Sequence, residues 1–373
     1  MRGSRRTKRL RRLGIAVGIA IVVLVFLRFS ACGPGQPRPL SIIVYDKTVP
    51  DRSYREHKAF FNVLGSDYID SATGRYFEPE HDYYGFVPLP DETYVIRPLP
   101  PRYDGVDLFY LVDAYGVYTL DFYGTNPRGQ RAQKIYGGLT LRDVAEARRE
   151  VHAGALLIGE FNTFASPTGD AAQTAMASFL GVRWTGWIGR YFTNLAREGE
   201  VPVWAVDNYE RETGHRWQFR GPGYILVRQD HIVVLVEEED IEAQGCVFEW
   251  NETGRKIFPD SRRSVYQYWF DILETDTGTI SLADFKLKVT PKGADILLRE
   301  KLPATFPAVI LNETTAYTSF YFAGDFADRD DRFIFLRSDK ESLFYRRSYR
   351  PMMEKILDRV ASSRKAPKPL RFK

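Results

Sequence analysis

The sequence predicts an α/β protein: a mostly parallel, doubly wound sheet with a β-rich insertion, preceded by one N-terminal membrane segment. Three observations carry this. Short strands alternate with helical segments through the first half of the chain. Those strands are continuously apolar, as strands buried on both faces are. An uncharged run, Leu13 to Leu27, stands between Arg12 and Arg28.

As a helix that run of fifteen residues spans about 22 Å, short of the roughly 30 Å hydrocarbon core, and the flanking arginines extend it by snorkelling. Residues 1–28 hold eight Arg/Lys and no acid, which directs the N-terminus to the cytoplasm and the body outside, to a bacterial periplasm or the outer face of the cell membrane. Phe29-Ser30-Ala31-Cys32-Gly33 follows and resembles a lipobox, making Cys32 a candidate lipidation site. Lipoprotein and uncleaved signal-anchor both stand. The chain then divides into a signal or anchor segment (1–32), a Pro/Gly tether (33–40), a folded body (41–363) with an insertion near 184–310, and a basic tail (364–373).

The net charge of +4 hides an acidic body. Removing the eight N-terminal bases and five in the tail from the total of 52 leaves 39 bases against 48 acids, a balance of −9. Such a body attracts no polyphosphate by bulk field, so nucleic acid is excluded as a partner and the basic ends suit anionic lipid. Two cysteines exclude a disulfide scaffold and a four-cysteine zinc site.

Ser41 to Tyr45 is the first strand and ends in Asp46-Lys47. Tyr54 to Leu64 has helical spacing and carries His57; residues 65–90 read as a loop. Thr93 to Arg97 and Val106 to Val112 are strands, the second ending in Asp113-Ala114-Tyr115. Thr140 caps a helix to His152, with Asp143 completing a near capping box. Ala155 to Ile158 ends in Gly159-Glu160-Phe161-Asn162 and is followed by Ser166 and a small-residue helix, Gly169 to Leu180. Tyr224 to Val227 and His231 to Val236 form a hairpin. Val265 to Thr275, Phe285 to Thr290, Ala308 to Leu311 and Thr315 to Phe322 read as strands or buried segments, and Tyr349 to Ser363 as a closing helix.

The order SIIVYDKTVP, VDLFYLVDAYGVY, GALLIGEFNTFASPTG resembles a class I glutamine amidotransferase-like, flavodoxin-like domain. DKTVPDRSYREHK, RWTGWIGRYF and YFAGDFAD resemble an uncharacterised group of extracytoplasmic bacterial proteins with that domain, over roughly residues 40–360. The resemblance implies a nucleophilic Cys on a strand-to-helix elbow. Gly159-Glu160-Phe161-Asn162-Thr163 stands there without one, and Cys246 reads as a buried small residue.

Parallel sheets collect ligands at strand carboxyl ends. Asp113, Glu160 and Asp325 are therefore the candidate catalytic carboxylates. Asp46, Lys47, His57, Tyr115, Asn162, Ser166, Trp184, Trp187, Arg190, Trp269, Asp271 and Asp328 are the candidate ligand contacts. Acids beside aromatics suit a carbohydrate: rings stack on CH faces while carboxylates take hydroxyls. The leading expectation is a membrane-tethered protein that binds a glycan or envelope component. The alternatives are a carboxylate-dependent hydrolase acting on a glycan and an envelope assembly scaffold. No cofactor and no metal is expected, and the sequence leaves open whether any bond is broken.

Overall fold

A computed structural model describes residues 36–101, 103, 105–328, 339–364 and 370–372. The apolar run, Cys32 and Lys365, Lys368 and Lys373 of the basic tail lie outside them. Among the described residues no helix is long and apolar enough to cross a membrane.

The first half runs β1 (Arg38–Leu40), β2 (Ile42–Asp46), α1 (Arg55–Leu64), β3 (Tyr68–Asp70), β4 (Tyr84–Pro88), β5 (Tyr94–Arg97), β6 (Leu108–Asp113), β7 (Val117–Tyr118), α2 (Thr119–Phe122), β8 (Lys134–Tyr136), α3 (Leu141–His152), β9 (Leu156–Glu160) and α4 (Asp170–Leu180). Thr140 and Asp143 form a reciprocal capping box on α3, as expected. Two strands lie inside the segment expected to be loop, β3 and β4.

The second half runs β10 (Val182–Phe192), α5 (Val203–Thr213), β11 (Gly223–Arg228), β12 (His231–Val236), β13 (Cys246–Trp250), α6 (Glu252–Ile257), β14 (Ser264–Tyr266), β15 (Phe270–Thr275), β16 (Ile280–Lys286), α7 (Pro291–Arg299), β17 (Thr305–Glu313), β18 (Thr318–Phe322), α8 (Lys340–Phe344), a π-type turn (Tyr345–Tyr349) and α9 (Arg350–Ser363).

The mostly parallel, flavodoxin-like sheet is not what forms. The main sheet has ten strands in the order β14-β13-β16-β17-β18-β9-β6-β2-β4-β5 and is mixed. Only the pairs β18-β9, β9-β6, β6-β2 and β2-β4 are parallel. The remaining pairs of that sheet are antiparallel. The physical reason lies in the connections. β17 and β18 are joined by a tight turn at Thr314–Tyr317, closed by the Thr314 amide on the Tyr317 carbonyl at 2.9 Å. β16 and β17 flank a helix, yet pair antiparallel. Continuous apolarity marks burial on both faces, and an antiparallel strand buried on both faces carries it equally.

A second sheet, β12-β11-β10-β15, is wholly antiparallel. The period of two divides its side chains between two cores. Tyr224 and Leu226 of β11 and Val233 and Leu235 of β12 join the main core. Ile225, Val227, Ile232 and Val234 join a smaller one with Ala205 and Val206 of α5 and Trp217. The two sheets meet through β15: the Asp271 amide donates to the Ala323 carbonyl at 2.7 Å, and the Asp325 amide to the Trp269 carbonyl at 3.1 Å. This seam clamps the segment that follows β18.

Candidate functional site

Three parallel strands end side by side, each on an acid. Asp46 closes β2, Asp113 closes β6 and Glu160 closes β9. At Gly85 of β4, with φ +126°, a Cβ would fall 1.7 Å from the Asp46 carbonyl oxygen, so only glycine lets the strands close there. The Asp46 carboxylate accepts the Thr48 amide at 2.8 Å and meets His57 Nδ1 at 2.7 Å. His57 Nε2 lies 3.0 Å from the Pro79 carbonyl oxygen. Both ring nitrogens of this buried histidine therefore face acceptors, and satisfying both takes a proton on each nitrogen or one on Asp46.

Asp113 is held by three donors: the Tyr115 amide at 2.6 Å, the Thr48 hydroxyl at 2.5 Å and the Asn162 side-chain amide at 2.8 Å. Asn162 follows β9 in the left-handed region, φ +67°, in the turn where the resemblance places a nucleophile elbow. Its role is to hold Asp113.

Glu160 does different work. One of its oxygens accepts the backbone amides of Phe326 and Ala327, and the other takes the Tyr110 hydroxyl. The side chain is fully buried. It is a clasp that fixes the Gly324-Asp325-Phe326-Ala327 segment against the sheet. Asp325, displayed by that clasp, is half-buried. Its main chain is tied to Trp269 and Tyr266. Among the described residues no hydrogen bond reaches its carboxylate. Asp328, one turn on, pairs with Arg55 Nε at 2.8 Å.

These acids share one electrostatic field. Burial pushes Asp113 up to about 7, with Asp46 adding to the rise and its hydrogen bonds opposing it. Burial pushes Glu160 up to about 8, the Tyr110, Ala327 and Phe326 bonds opposing and Asp113 reinforcing. Burial likewise raises Asp271 to about 7, against bonds from Tyr321 and Trp184 and with help from Asp113. Asp325 is held well above the usual carboxylate range by burial, then by Asp328, Asp113 and Glu160. Asp113 contributes to the rise of all three others, so it is the centre of the cluster.

The structure thus gathers Asp113, Glu160 and Asp325. Trp269 and Asp328 lie beside Asp325; the Arg190 guanidinium sits 4.8 Å from the centres of the Phe192 and Tyr268 rings and 5.8 Å from Trp269, with the Glu200 carboxylate at 3.8 Å. Tyr115 is 41% exposed at the rim. Other expected contacts are committed to packing. Lys47 is buried, its ammonium on the Gly138 carbonyl and the Asp143 carboxylate, each at 2.7 Å. Asp271 is buried under Tyr321 and the Trp184 indole. Trp187 is a core residue, and the stretch that carries Trp184 and Trp187 is the bulged strand β10. Ser166 is exposed, and no hydrogen bond joins it to the carboxyl cluster. Cys246 is buried, and burial pushes its thiol up, as a structural cysteine requires.

Sequence reading missed Glu56 and Arg55. Glu56 is buried, with one carboxyl oxygen 3.8 Å from Arg55 and the other without a hydrogen-bond partner among the described residues. Burial, then Asp328 and Asp46, raise its carboxyl well above the usual range. The signal was there: Glu56 lies one turn before Phe60 on the apolar face of α1.

No family model matches this chain, and no curated protein matches it. Among solved structures it is similar to a putative ThuA-like protein from Bacteroides uniformis, at 10% identity and a TM-score of 0.38, over 85% of this chain and 91% of that one. It is also similar to Agd3, a carbohydrate deacetylase, at 10% identity and a TM-score of 0.34, over 77% of this chain and 29% of that one. A third is Gan42B, a GH42 β-galactosidase, at 9% identity and a TM-score of 0.34, over 86% of this chain and 30% of that one. Overlaps this loose assign no activity to the chain.

Proposed function

We propose that the face beside the strand-end carboxyl cluster, at Asp325, Tyr268 and Trp269, binds a polyhydroxylated ligand, a glycan or a glycan-bearing envelope component. The observation that carries this is Asp325, a half-buried carboxylate with no hydrogen bond among the described residues. The Glu160 clasp holds its backbone in place. Ligand hydroxyls would supply the missing bonds, and the half-buried rings of Tyr268 and Trp269 offer faces for stacking. Asp325→Asn should cut binding of a panel of neutral oligosaccharides at least tenfold, read by calorimetry, with the melting temperature unchanged. Unaltered affinity would remove Asp325 from the site.

A second reading rests on Asp113. A carboxyl pushed to about 7 is poised to exchange a proton at neutral pH, which suits a carboxylate-dependent hydrolase. Binding of intact oligosaccharide without product release separates the two readings.

A further inference from the structure

The two edges of the main sheet are finished differently. At the β14 edge the Tyr345–Tyr349 turn closes over the strand: the Arg262 amide donates to the Arg347 carbonyl at 2.6 Å, and the Ser264 and Ser348 hydroxyls meet at 2.5 Å. The β5 edge is open, with Tyr94, Val95 and Ile96 exposed by 38%, 46% and 38%. Its main chain points outward in a defined way. The Leu89 amide donates to the Thr93 carbonyl at 2.8 Å, so these two form a hydrogen-bonded pair. Such pairs alternate along an antiparallel ladder. Val95 opposite Val87 and Arg97 opposite Gly85 therefore turn their amides to β4, and Tyr94 and Ile96 turn theirs away. Pro88, opposite Tyr94, has no amide to offer. Among the described residues no hydrogen bond reaches the outward amides and carbonyls of Tyr94 and Ile96. Exposed edges are ordinarily guarded by lysine, proline or a bulge. The β5 register runs unbroken, and its centre, Tyr94-Val95-Ile96, carries no charge.

We propose that this edge pairs with the same edge of a second copy of the chain, antiparallel across a two-fold axis through Val95. In that register Tyr94 of each copy faces Ile96 of the other, and the outward amides and carbonyls of both residues find partners. The charges select a second copy. Asp91 and Glu92 stand in the turn before the uncharged centre and Arg97 stands after it, so antiparallel pairing sets the acidic turn of each copy towards Arg97 of the other, at both ends. The apolar surface continues past the strand. Tyr94 meets Phe122 at 5.4 Å between ring centres and Phe122 meets Tyr123 at 4.7 Å, with Tyr123 and Leu89 exposed, which supplies side-chain contact beyond the ladder. Pairing also stops at two copies: the β14 edge is covered, and Pro98 ends β5.

The test is equilibrium sedimentation of the full chain in density-matched detergent micelles. Wild type should pass from one copy to two between about 1 and 100 μM, as a small interface predicts. Val95→Lys sets two ammonium groups against each other at the axis while the main chain keeps its pairing to β4. It should weaken the dimer at least tenfold and leave the melting temperature unchanged. Cysteine pairing reads the register, and it decides should that variant misfold. Val95 faces its own copy at a non-hydrogen-bonded position, where Cα atoms lie about 4.5 Å apart, within disulfide range. Tyr94 and Ile96 are each offset from their own copies by two residues, more than about 7 Å and out of that range. Val95→Cys should therefore oxidise to a linked dimer at least tenfold faster than Tyr94→Cys, Ile96→Cys or wild type, whose Cys32 and Cys246 set the background. A single copy at every concentration would overturn the inference and leave the edge to a strand of another protein. A dimer that Val95→Lys does not weaken, assembly beyond two copies, or equal cross-linking at the three positions would overturn it as well.

Discussion

Replacing Glu160 by alanine should destabilise the protein by about 3–5 kcal/mol, while Glu160→Gln should stay within about 1 kcal/mol of wild type. The contrast follows from the geometry. Alanine orphans two buried amides, those of Phe326 and Ala327, together with the Tyr110 hydroxyl. Glutamine replaces every bond. Its carbonyl oxygen accepts the two amides, its NH2 donates to the Tyr110 oxygen, and Tyr110 then donates to Tyr349, whose hydroxyl lies 3.2 Å away. Glutamine also mimics the protonated acid that burial favours, with the Glu160 carboxyl pushed to about 8. Urea unfolding of the two variants checks this. Equal losses in both would mean that Glu160 works as an anion and not as a clasp.

Stability should fall as pH rises from about 5 to about 8, the reverse of ordinary acid denaturation. Glu160, Asp113 and Asp271 stand at about 8, 7 and 7 in the folded protein, against ordinary values of 4.5, 3.8 and 3.8. Below the ordinary values both folded and unfolded chains are protonated, and the contribution is fully present. Between the two sets the folded chain keeps protons that the unfolded chain has released. Each such group then lowers stability by up to about 1.4 kcal/mol per pH unit. Above about 8 the loss is complete. The urea midpoint should be highest near pH 5 and lowest near pH 8, and Glu160→Gln should flatten the upper part of the slope. A midpoint that rises with pH over this range would mean that the carboxyls are ionised and paired.

Much of the acidic cluster was legible because its carboxylates close predicted strands. Asp46, Asp113 and Glu160 each stand directly after an apolar run, where a parallel sheet exposes its ends. The α3 cap was legible for the same reason: a capping box is a local pattern. The sheet as a whole was not. Strand direction in β13, β16 and β17 is set by how turns and α7 pack, and a buried strand reads alike in either direction. β10 escaped because the register shift between Trp184 and Ile188, with Gly186 at φ +85° inside it, breaks the alternation that marks a strand. The division of labour between Glu160 and Asp325 also lay beyond sequence. It depends on amides brought from the far side of the seam with β15, and no spacing records that.

The central claim is that one carboxyl, Asp113, sits at the middle of a field shared by acids from separate strands. Carboxyl titration by 13C NMR in Asp113→Asn tests it most directly. The account predicts that the midpoints of Glu160, Asp271 and Asp325 all move down together, by about half a pH unit or more. If all three stay where they stand in wild type, the acids do not feel one another, and the cluster described here is not a single site.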